Sequence, residues 1–277
     1  QMWFRDRARG RFEGTVVPVI IRGREEVVGS AAPLTLVLGP ITQVIWLRFL
    51  PGFYDSLARF GLAASAGMFE QRVADRIEGI YADWHVDVRL ERPDDFSPQG
   101  YSVVEIGGPD PNGRGLFGYD NTPGKDVNNL RLFDAIGGAN AETQMDGFPG
   151  FGGVFVESLF GFSEHPPEGL PTGGPDPDPL FDEIFDGVRA TPATLAEVRG
   201  EGSRASEVEH AIDALSSIIG ETSAHEIGHS LGLADPFGSS RVFHNAGDGP
   251  GCLMDSGGSR PLGERAGEPG FSATRLC

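Results

Sequence analysis

The chain has 277 residues, 39% of them hydrophobic and 22% charged, with 22 Lys+Arg against 40 Asp+Glu for a formal charge of −18 at pH 7. That length can bury a real core, as one large domain or two small ones. The acidity argues against nucleic acid or an anionic membrane as a partner, and 41 glycines and 21 prolines predict long loops.

No secretory leader is visible at the start, and the opening Gln1 reads as a trimmed form whose leader is gone. From Gly14 to Pro40 the pattern is β: VVPVII (16–21), a charged turn, then LTLVL (34–38). Residues 1–40 therefore read as an N-terminal β extension or a propeptide remnant, and 41–277 as the main domain. Ala31 to Phe53 is the most apolar stretch, but Pro33, Gly39, Pro40 and Pro51 interrupt it and Arg48 charges it. Short strands are expected there, not a membrane span.

VIWLRFL (44–50) is a strong strand. Phe69, Val73, Ile77, Ile80 and Trp84 recur at helical spacing, predicting a helix within Ser65–His85 with one buried face. VDVRLER (86–92), YSVVEIG (101–107) and GGVFVESLFG (152–161) read as strands, with glycine-rich loops around LRLFDAI in between. Residues 163–203, rich in Pro, Gly and Asp, read as an insertion, either a surface excursion or the rim of a cleft. Ser206 and Glu209 have capping-box spacing. Val208, Ile212, Leu215, Ile219 and Thr222 then carry a long helix into HEIGHSLGLADP (225–236).

In that helix His225 and His229 lie four apart, on one face and about 6 Å apart along the axis, so both imidazoles can meet one metal ion. Glu226 is rotated about 100° away and can reach a water at the metal's open position, as a general base must. Gly232 can take the left-handed conformation that ends a helix. Asp235, three residues on, can then swing in as the third ligand. His244 is the alternative third or extra ligand, on a loose tether.

Together the run HExxHxxGxxD and a downstream methionine resemble the metzincin clan of zinc endopeptidases, and the aspartate form is similar to its snapalysin-type branch. CLMDSGG (252–258) resembles the clan's Met-turn, which would set Met254 beneath the zinc. The resemblance implies an α+β fold over about 44–262. It would comprise a small, twisted, mostly parallel sheet, a backing helix, a long active-site helix and an irregular C-terminal subdomain (236–277). It further implies that residues 152–161 are the edge strand that pairs with extended substrate. Ser256 stands where several metzincin families place a tyrosine that assists oxyanion stabilisation, so the metal would carry more of that work. Residues 1–40 lie outside the resemblance.

The implied activity is zinc-dependent hydrolysis of peptide bonds in proteins through a metal-bound water, with Glu226 as general base. The alternative is a zinc-stabilised binding or adhesion module with weak or no turnover. Protein or peptide substrates are the expected partners, a monomer the favoured state, and a secreted or extracytoplasmic bacterial setting the expected location. Cys252 and Cys277 could pair, closing a loop of about 25 residues worth roughly 3 kcal/mol, and a disulfide would fit an exported protein. In YDNTPGKDVNN (119–129), Asp120, Asn121, Asp126 and Asn128 offer oxygen ligands for Ca2+ without EF-hand spacing; polar turn residues are the plainer reading. His85, His165 and His210 have no motif around them and read as surface histidines.

Overall fold

The computed structural model describes residues 10–276 apart from 39–41, 97–99, 127–130, 140–149, 172, 234–242, 246–248 and 258–259. The chain divides into two units, Gln1–Thr42 and Gln43–Cys277.

The first unit is a pair of nested hairpins. Strand β1 (Gly10–Val16) pairs antiparallel with β4 (Ala32–Leu38), and β2 (Val19–Arg22) pairs with β3 (Glu25–Val28) across a turn at Gly23 and Arg24. Alternating β-branched residues suit these strands. Two-stranded ribbons bury little, and Ile21 and Val37 are both 74% exposed.

The second unit is mixed α and β. Its strands are β5 (Gln43–Phe49), β6 (Val86–Arg89), β7 (Tyr101–Gly107), β8 (Gly118–Tyr119), β9 (Ala135–Ile136) and β10 (Gly153–Phe155). They form one sheet in the order β6-β5-β7-β10-β8, with β9 beside β7 ahead of β10. All pairings are parallel except β8 against β10. Parallel neighbours need crossovers, and the β5–β6 crossover carries α1 (Pro51–Arg59) and α2 (Ala66–Ile80). The spacing-based helix is thus α2, with Phe69, Val73 and Ile77 fully buried. The apolar stretch from 31 to 53 becomes β4, β5 and the start of α1, and no helix among the described residues is long and apolar enough to cross a membrane.

Three expectations are corrected here. First, residues 152–161 are not one strand: β10 has three residues, a 3-10 helix follows over Val156–Phe162, and β10 lies inside the sheet. The edge on that side is β8, whose two residues are too few to show a period. Secondly, the Pro/Gly/Asp-rich segment is no mere surface excursion: as the rim of a cleft would, Gly173, Gly174 and Pro175 line a cleft. The segment contains α3 (Pro179–Ala190), started by Pro179 at its first position and by the Asp178 side chain accepting from the Leu180 N–H, and α4 (Leu195–Val198). Phe181, Phe185 and Val188 are fully buried, and Phe181 and Phe185 pack edge-on to Phe60, itself stacked on Phe160 at 4.1 Å. Thirdly, Ser206 and Glu209 do not cap the long helix α5 (Ala205–Ser230). Its N-cap is Arg204 without a side-chain cap, and Glu209 instead accepts from Arg72 of α2. The capping box is one helix earlier, between Thr194 and Glu197.

The aromatic cluster generates a prediction. Phe181→Ala leaves a cavity among Phe60, Phe160 and Phe185 and should destabilise the unit by about 3–5 kcal/mol. Chemical denaturation followed by fluorescence would measure it; a loss under about 1 kcal/mol would return α3 to the surface.

Candidate metal centre

From Ile218 to Ser230 every residue of α5 is buried, so its polar side chains need partners inside the protein. Tyr81, just past α2, donates its hydroxyl to the Ala224 carbonyl at 2.7 Å, immediately before His225. Past the site, Ser230 donates to Asp134 Oδ2 at 2.9 Å, and Arg131 holds Asp134 Oδ1. Both ends of the motif are therefore pinned. Gly232 takes φ +67°, its N–H donates to His229 O and that of Leu233 to Gly228 O, the pattern of a Schellman stop.

The structure brings together His225, His229 and His244. Their ring centroids are 4.8–5.2 Å apart, and one nitrogen from each lies within 4.8 Å of the others. His225 Nδ1 lies 2.7 Å from the Leu253 carbonyl, so it must carry the proton and Nε2 is left with a lone pair. Burial, together with the charge of neighbouring imidazoles, holds His225 and His229 well below the usual histidine range. Neutral imidazoles are the form that ligates metal. One nitrogen from each of the three side chains, two of them buried and His244 half-buried, converges closely enough that together they could hold a metal ion. Asp235, the third ligand expected from the spacing, lies outside the described residues.

Glu226 is 5% exposed, lines the same cleft as the three histidines, and lies against Gly118 of the edge strand β8. A Cβ on Gly118 of β8 would come 2.5 Å from Glu226 Oε1, so only a glycine lets the strand lie this close. Burial pushes the Glu226 carboxyl up to about 8, opposed by the Lys125 ammonium and a hydrogen bond from the Asp120 N–H. Lys125 sits 4.7 Å from the Tyr119 ring centroid and donates to the Asp120 carbonyl at 2.5 Å. The non-glycine residues with positive φ among those described are Lys125, its neighbour Asp126, and Phe243, whose ring centroid is 5.8 Å from Lys125 Nζ. Each conformation costs about 1–3 kcal/mol and is kept where the surroundings demand it. Gly118, Tyr119, Lys125, Glu226 and the three histidines line a cleft of about 440 Å3.

Met254 is fully buried under α5, with its sulfur against Gly228. Cys252 is disulfide-bonded, while Cys277 lies outside the described residues. The possible calcium residues have other work. Asp120 Oδ1 accepts from Thr122, Asn121 donates to the Gly137 and Gly138 carbonyls, Arg131 pairs with Asp126, and Asn128 lies outside the described residues. Among the described residues a second acidic group joins His165, Asp182 and Asp186, but Arg189 already bonds both carboxylates there. His210 pairs with Glu268 at 2.6 Å, and His85 is exposed.

Sequence reading missed Lys125 and Arg265 in the cleft, since neither belongs to a motif. Comparison with protein-family models, characterised proteins and solved structures finds no match.

The contact between Met254 and Gly228 generates a prediction. Gly228→Ala gains up to about 1 kcal/mol of helix propensity, but its methyl group would overlap the buried methionine sulfur, a clash worth about 1–3 kcal/mol. The net effect should be a lower melting temperature in the metal-free protein. A variant as stable as the parent would mean that Met254 can move aside.

Proposed function

We propose that this chain is a zinc-dependent endopeptidase of the metzincin kind. The observation that carries the reading is a buried glutamate, Glu226, lining one cleft with three clustered histidines beside a sheet edge. His225, His229 and His244 would hold the zinc, with Asp235 as a further ligand or in place of His244. Zinc, when bound, would supply Lewis acidity for a carbonyl and lower the pKa of a water. A purely structural site has no use for Glu226, which weighs against the adhesion-module reading.

Glu226 accepts a proton from the attacking water and returns it to the leaving amine. Buried as it is, its basicity depends on the cations around it, and Lys125 is the one whose field reaches both Glu226 and His229. With Ser256 where the clan's tyrosine would stand, Lys125 is also the side chain suited to stabilise charge developing on the carbonyl oxygen. An extended peptide would lie along β8, beside Glu226, by main-chain pairing to the sheet edge. The disulfide at Cys252 is in keeping with an exported protein.

The test is cleavage of a diverse peptide mixture at measured zinc content. The parent should bind one zinc per chain and cleave. Glu226→Ala should keep the zinc and lose nearly all turnover, and His244→Ala should lose zinc affinity by at least about a hundredfold. Zinc retained without cleavage by any of the three would sink the peptidase in favour of the binding module. If His244→Ala keeps its zinc while Asp235→Ala loses it, the third ligand is the aspartate.

Lys125→Met should lower kcat by about a hundredfold with little change in KM. An equal rise in KM at constant kcat would make Lys125 a binding group only.

A further inference from the structure

The same cleft contains an unpaired cation. Arg265 belongs to the short helix α6 (Leu262–Ala266) and is 3% exposed. Its guanidinium carbon lies 5.4 Å from the Phe117 ring centroid, and Nη2 donates to the Gly257 carbonyl at 3.0 Å. Nη1 is a long 3.5 Å from Thr222 Oγ1, and Nε is buried with no partner. Arg265 makes no ion pair among the described residues; of the three carboxylates whose charge reaches it, Glu226 makes no ion pair with it and the other two are already engaged. Glu221 accepts from Arg76 and from Arg260, while Glu264 accepts from Arg260 and from the Gly251 N–H.

A buried guanidinium without a counterion is costly. Burial and the like charge of Arg260 pull the Arg265 pKa down to about 10. The cost is explicable if the counterion arrives with a ligand. In an acidic chain the cleft runs the other way: among the described residues Arg114, Lys125 and Arg265 line it against one carboxylate, Glu226. Thr222 lies three residues before His225 on α5 and lines the cleft with it, so Arg265 opens beside the metal centre.

We propose that Arg265 binds a carboxylate of the peptide held in the cleft, either an Asp or Glu side chain or the peptide's free C-terminus. Stacking on Phe117 and the bond to Gly257 fix the guanidinium plane, leaving Nε and Nη1 short of acceptors for an incoming carboxylate. The place next to a scissile bond rests on the peptidase reading, whereas carboxylate recognition itself does not.

The experiment uses the full zinc-loaded chain carrying Glu226→Ala, immobilised and exposed to a degenerate hexapeptide mixture with free and amidated C-termini. Bound peptides are read by mass spectrometry. Expected is about tenfold enrichment of carboxylates over their carboxamide counterparts, Glu over Gln for the side-chain source or free over amidated ends for the C-terminal source. The enrichment should vanish in Arg265→Gln and shrink several-fold in Arg265→Lys, which keeps the charge but loses the planar fork. If Arg265→Gln does not fold, the lysine variant decides alone. No enrichment by the Arg265 chain, or equal enrichment in the variants, overturns the proposal. A parallel digest with the parent separates the two readings. Arg265-dependent capture without cleavage defeats the peptidase and keeps the carboxylate site, and cleavage indifferent to Glu or Gln and to the chain end does the reverse.

Discussion

Everything around the candidate centre follows from one constraint: the polar half of α5 is buried, and Thr222, His225, Glu226 and His229 meet only the cleft. Thirteen consecutive residues, Ile218 to Ser230, are shut off from water, and Glu221, Thr222, Ser223, His225, Glu226, His229 and Ser230 are among them. A surface helix would leave these groups to solvent. Here each must find a protein partner or be held neutral, because unmet polar groups inside a protein cost about 1–3 kcal/mol apiece. Thr222 and Ser223 bond back to carbonyls four residues earlier, Ser230 finds Asp134, and Glu221 finds two arginines. The histidines and Glu226 remain, and burial drives all of them towards uncharged forms. A divalent cation would offset that desolvation at a stroke.

The C-terminal segment satisfies the same constraint from the other side. It has little regular structure, yet it is cross-linked: Asn245 N–H donates to Met254 O, Leu253 N–H to Arg275 O, and Arg275 N–H to Gly251 O. Arg260 bridges Glu221, Glu264 and Thr274, tying this segment to α5 one turn before His225. Leu253 can therefore present its carbonyl to His225 while Met254 fills the space against Gly228. Polar contacts substitute here for the helix or sheet that would ordinarily fix a loop.

What could be read from the sequence divides along the range of the interactions. Local periodicity gave away β5, β7, α2 and α5, because each repeats its apolar residues often enough to declare a period. Helix α3 went unread although Phe181, Ile184, Phe185 and Val188 fall at helical spacing behind an Asp-Pro start. The surrounding GGPDPDP composition hid it. Strand β8 could not be read at all: two residues carry no period, and they are a strand only because β10 lies beside them. The pair His225 and His229 with Glu226 was legible because one helix places all three. His244 ranked second on tether length, since its approach depends on how the C-terminal segment is bound down, which no spacing encodes. Arg265 and Lys125 reach the cleft by folding alone.

That difference bears on how the centre and its specificity are built. His225, Glu226 and His229 are separated by one to four residues on α5, so any sequence that keeps the helix keeps their geometry. Two of the cleft's cations come from a strained turn at Lys125 and a five-residue helix at Arg265, each held by different neighbours. Chemistry and recognition thus rest on separable parts of the chain. Replacing Arg265 should disturb neither the His225–Leu253 bond nor the packing of Met254, because it touches neither. Its persistence as a buried charge costs stability in the unliganded protein, and a function that uses that charge is the physical reason to keep it.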